Sequence, residues 1–138
     1  MSRTSKYIFT FHNFDEYDSF IEIVNKINSG LIINDYIFER TINSIDYLLY
    51  DGLSNLYICV FSTNGAILNK SILFKTFNIQ AYESYDKIYG INNALFKYVD
   101  NKGKTIKFNL KSNEYLLFKN DNDMFKHISL MGHVSALF

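Results

Sequence analysis

The residue pattern predicts an α+β domain. A mainly antiparallel sheet of about six to seven strands would carry one long N-terminal amphipathic helix on a face, with a short helix at the C-terminus. Three observations lead there. Residues 13–30, NFDEYDSFIEIVNKINSG, hold apolar side chains at helical spacing between an N-terminal cap and a glycine stop. Much of the remainder alternates β-branched or aromatic residues with polar ones, cut by the turn signals Asp51-Gly52, Thr63-Asn64-Gly65 and Asn101-Lys102-Gly103. No Pro-, Ser- or Gly-rich linker interrupts residues 1–138, so a single domain is expected.

The first strand is expected at 6–11, KYIFTF. The helix follows over 14–28. Asn13 or Asp15 can cap it, early carboxylates suit the positive end of its dipole, and Lys26 suits the negative end. Gly30 stands where a left-handed stop belongs. At 100° per residue, Phe14, Tyr17, Phe20, Ile21, Val24 and Ile27 form the apolar side. Further strands are expected at 31–39, 44–50, 55–62 and 67–77, with 55–62 apolar on both faces and therefore central. Residues 78–93 fit either a short helix, through Tyr82, Tyr85 and Tyr89, or an ordered loop. Strands at 94–99, 105–110 and 114–118 would make a three-stranded meander. Phe125, Ile128 and Met131 then suggest a helix ending before Gly132.

Composition narrows the function. Hydrophobic residues make up 48% and charged residues 20%, the balance of a folded domain rather than a disordered chain. The 14 basic and 14 acidic residues cancel, whereas a general nucleic-acid binder carries a basic excess. Nucleic acid is therefore disfavoured as a partner. Aromatic strands can also stack RNA bases, but no basic or glycine signature accompanies them, and with no Trp in the chain the Phe and Tyr residues read as core. The wealth of Asn, Ile and Lys matches AT-rich coding of a phage or low-GC bacterial kind. No apolar run reaches the roughly 20 residues that span a bilayer, and no signal-type segment follows the first residues. Cytoplasm is the expected compartment, with no membrane partner.

The histidines are the first candidates for catalytic chemistry. His12 stands at the strand–helix junction, within reach of Asp15 or Glu16; His127 and His133 are six apart, not the four of a helical metal pair. Cys59, the single cysteine, lies in an apolar run and reads as core. No nucleophile elbow or phosphate-binding glycine loop occurs. The expectation is no enzyme, no metal and no cofactor. What is left is the acidic side of the first helix: Asp15, Glu16, Asp18 and Glu22. Such a side can simply be solvated. It can also present charge that mimics phosphate to a basic partner. The sequence thus points to a non-catalytic protein-binding module, an immunity or inhibitor protein that covers a basic toxin or nuclease. A small hydrolase or nuclease using His12 or His127, and a homo-oligomeric accessory protein, are the alternatives.

Overall fold

The structure is a computed structural model describing residues 4–32, 41–84, 95–99, 102–109 and 115–136. Seven strands form one antiparallel sheet: β1 (Thr4–Phe11), β2 (Thr41–Asp51), β3 (Leu56–Asn64), β4 (Asn78–Ser84), β5 (Leu95–Val99), β6 (Thr105–Asn109) and β7 (Tyr115–Phe118). Their spatial order is β6-β5-β4-β1-β3-β2-β7. Three helices accompany them among the described residues: α1 (Phe14–Asn28), α2 (Ile72–Thr76) and α3 (Asp121–Ala136).

The expected helix needs correction in emphasis. It is neither N-terminal nor the long one: α1 has 15 residues and follows β1, while the C-terminal helix has 16. Gly132 does not end α3. A glycine inside a helix costs about 1 kcal/mol, and here the helix runs past it while Met124, Phe125 and Ile128 anchor the first turns to the core. The ends of α1 follow the local chemistry. Asn13 is extended and its side chain accepts from the Glu16 N–H at 3.0 Å. At the other end Gly30 has φ +79°, and the Leu31 and Gly30 amides reach back to the carbonyls of Lys26 and Ile27. That pairing satisfies carbonyls the helix itself cannot.

One face of the sheet carries the main core. Tyr7, Phe9, Phe11, Tyr57, Cys59 and Phe61 meet Tyr17, Phe20, Val24 and Ile27 of α1, Leu73 of α2 and Met124 of α3. Phe14, expected on the apolar side, is instead 39% exposed. β3 is buried through its interior because both faces are covered: Tyr57, Cys59 and Phe61 face the helices, and Ile58 and Val60 lie in a second cluster. That second cluster joins Ile8, Leu49 and Tyr98, flanked by Tyr82, Ile106 and Tyr115. β5–β6 and β7 stand at opposite ends of the strand order, yet both contribute, so the sheet curls toward this face. Two register shifts between β2 and β3 fit such curvature.

Three local expectations are overturned. Residues 72–76 fold as α2, capped by Ser71, whose hydroxyl accepts from the Leu73 N–H. Asn78–Ser84 is a strand, neither helix nor loop, because it is held between β1 and β5. Residues 85–93 of that segment lie outside the described residues, as do 33–39 of the strand expected at 31–39. The meander also fails: β7 leaves β6 and pairs with β2 at the far edge, Leu48 opposite Phe118 and Asp51 opposite Tyr115. There Phe118 joins the core near α3.

Candidate functional site

Of the residues singled out by the sequence, His12, Asp15 and Glu16 come together where β1 runs into α1, while Asp18, Glu22 and His127 lie outside the cleft there. His12, Asp15, Glu16 and Ser19 line one cleft of about 590 Å³ with Phe9, Thr10, Leu56, Thr76, Phe77 and Asn78. The helix start places Asp15 and Glu16, and the strand end places His12.

The four carboxylates are not equivalent. Glu16 is committed to the cap: Oε2 accepts from the His12 amide at 3.3 Å, and Oε1 lies 3.5 Å from Asn13 Nδ2. The first of these satisfies an amide just ahead of the helix. Glu22 pairs with Lys26 one turn on, at 3.3 Å. Asp15 and Asp18 are exposed, and neither is in an ion pair among the described residues. Phe14 sits beside Asp15 in sequence and one turn before Asp18. Its ring meets Phe125 of α3 edge-on, centroids 4.5 Å apart. Phe125 in turn lines a shallow groove along α3 with Asn122, Lys126, Ser129 and Leu130. An exposed aromatic seam thus runs between two carboxylates and α3. The sequence missed it because Phe14 falls within the helix's apolar arc, and only the position of α3 decides that it stays half open.

His12 shares the cleft with Asp15 and Glu16, but its ring makes no hydrogen bond to either among the described residues. A base held by an orienting carboxylate is not formed there.

His127 has a different setting. Its ring packs on Tyr50 (centroids 4.6 Å apart), Tyr57 and Phe118, and its Nδ1 lies 2.8 Å from the Tyr57 hydroxyl. With the ring hydrogen on Nε2, that hydroxyl donates to Nδ1. Tyr57 is itself buried, and Tyr50 donates to Asn55 Oδ1 at 2.6 Å. These contacts describe a packed aromatic network rather than a catalytic pair with a carboxylate. Burial lowers the His127 pKa below the ordinary 6.5. A neutral folded imidazole means that the unfolded chain binds more protons, so stability increases with pH through this range. The contribution of His127 should be fully present above about pH 6.5 and decline as pH falls below it. Urea midpoints from pH 7.5 to 5 would show it. A His127→Asn variant with an equally steep acid limb would contradict the assignment.

Cys59 is fully buried, and burial pushes its thiol pKa up, which removes it as a nucleophile. Among the described residues no group of three His, Cys, Asp or Glu side chains could hold a metal, and no helix is long and apolar enough to cross a membrane. A scan against protein-family models and searches of curated proteins and of solved structures returned no match.

Proposed function

We propose that this protein is a non-catalytic protein-binding module, an immunity or inhibitor protein acting in the cytoplasm, whose contact surface is the first half of α1. Asp15 and Asp18 carry the charge that selects a basic partner, a toxin or nuclease. Glu16 and Glu22 belong to the same face but are held by the cap and by Lys26. The observation that supports this reading most directly is the exposed Phe14, next to Asp15 and one turn before Asp18, extended by Phe125. Protein interfaces join an aromatic centre to a charged, hydrated rim, and the aromatic anchors carry most of the affinity.

The test begins by trapping the partner through cross-linking in its native lysate, with the cross-linked peptides identified. Purified partner is then titrated with the wild type and with the double variant Asp15→Lys, Asp18→Lys at low and moderate salt. Association should slow by about 10-fold or more, and the salt dependence should shrink or reverse. An unchanged rate and an unchanged salt slope would remove the acidic face from the interface.

A second reading, a small hydrolase or nuclease, draws on the cleft that His12 shares with Asp15, Glu16 and Ser19. Turnover that disappears in His12→Ala and survives Asp18→Lys alone, a residue outside the cleft, would favour that reading over the first.

A further inference from the structure

The curled face of the sheet, opposite the helices, holds a second cleft of about 430 Å³, within the roughly 300–1,000 Å³ that accommodates small organic ligands. It opens at the end of the sheet where β1 and β2 finish and β3 and β4 begin, and it shares Thr10, His12, Leu56 and Asn78 with the first cleft. Its apolar wall is made by Tyr98, Leu56 and Ile106, and the rest of its lining is polar, with His12, Ser54, Asn78 and Gln80 among it. Two polar side chains in it are almost wholly buried: Thr10 at 4% exposure and Asp51 at 8%.

Asp51 is the unusual group. Its Oδ1 accepts from the amides of Leu53 (3.0 Å) and Ser54 (3.4 Å), which shapes the β2–β3 turn. Its Oδ2 takes no hydrogen bond from any described residue, yet is not among the buried atoms sealed from solvent. Asp51 lines the cleft, so Oδ2 is the oxygen the cleft can reach. A carboxylate with so little water around it calls for a cationic or strongly donating partner. Lys102, the lysine of the cleft wall, is exposed on the β5–β6 turn and already engaged within the chain.

We propose that this cleft binds an organic cation: a primary amine attached to an apolar body. The ammonium group donates to Asp51 Oδ2, and the body lies against Tyr98, Leu56 and Ile106. The same chemistry could arrive as a free aryl-alkyl amine or as a lysine side chain of a partner protein. The site is separate from Asp15 and Asp18 and does not depend on the protein-binding reading.

The test uses the full chain labelled with ¹⁵N and titrated with phenethylamine, with Nα-acetyl-lysine amide, and with phenylacetate as the charge control. Saturable shifts around Thr10, Asp51, Tyr98 and Ile106 are expected with an amine and not with phenylacetate. The tighter of the two amines identifies the source. Asp51→Asn keeps the turn acceptor while removing the charge, and should weaken amine binding by about 10- to 100-fold with an unchanged melting curve. Should Asp51→Asn fail to fold, Ile106→Lys places a competing ammonium in the cleft and must weaken the amine instead. Absence of saturation by either amine, equal binding of phenylacetate, or full affinity in a folded Asp51→Asn or Ile106→Lys variant would overturn the proposal.

Discussion

Replacing Phe20 by alanine is expected to destabilise the fold by about 3–5 kcal/mol, far more than a substitution on the exposed side of the same helix. Phe20 is fully buried on α1 and ties three elements together. Its ring lies 4.5 Å from Phe9 of β1, 5.2 Å from Phe61 of β3 and 5.6 Å from Phe77, which follows α2. Truncation removes both the transfer energy of the ring and the packing of its neighbours. The surrounding aromatics are rigid and close the void poorly. Since a domain of this size is held by only about 5–15 kcal/mol, the variant should lose a large share of its stability. Urea unfolding followed by far-ultraviolet circular dichroism would measure it. A loss below about 1 kcal/mol would mean that α1 is not seated on the sheet as described.

Alkaline pH should unfold the protein through two buried tyrosines. Burial raises the Tyr57 pKa to about 12, with Tyr50 adding to the effect. Tyr17 is raised further, by burial first and then by Cys59 and by Asp121, whose carboxylate accepts from the Tyr17 hydroxyl at 3.1 Å. In both cases the folded state keeps its proton longer than the unfolded chain does. The stability they contribute is therefore complete below about pH 10 and is lost as pH rises above it. For Tyr57 the loss is complete near pH 12 and amounts to something on the order of 2 kcal/mol. Melting temperatures from pH 8 to 12 should fall along this limb, and Tyr57→Phe should make it shallower. The same slope in Tyr57→Phe would show that this phenol does not titrate with unfolding.

The parts of the fold legible in the sequence were those set by neighbouring residues. Asn13, the early carboxylates and Gly30 mark the ends of α1 through hydrogen bonds made within a few residues. The interior of β3 betrayed its double burial because Tyr57 to Phe61 offer apolar side chains to both faces. Other elements were hidden for the opposite reason. Ser71 caps a five-residue helix inside a stretch whose alternation resembles a strand. Asn78–Ser84 carries a tyrosine at helical spacing with those beyond it, but pairing on both sides imposes the strand.

The candidate site divides in the same way. The carboxylates Asp15, Glu16, Asp18 and Glu22 could be placed on one helical side from spacing. Their separation into two engaged groups and two open ones required the cap contact of Glu16 and the Lys26 partner of Glu22. Nothing near Asp51 in the chain suggested a cleft. Its role as a turn residue was visible in Asp51-Gly52, while the wall around it comes from strands far apart in sequence.

By itself the sequence determined the class of the fold, the first helix with its caps, the buried central strand and the acidic side of α1. Each follows from side-chain period or from hydrogen bonds between near neighbours. Tertiary structure alone decided that β7 crosses to the β2 edge, that Phe14 stays exposed beside Phe125, that His127 is enclosed by tyrosines, and that Asp51 faces a cleft. Those outcomes depend on which distant strands pair and which faces then close. Burial and contact are properties of that assembly, and local propensity carries no record of them.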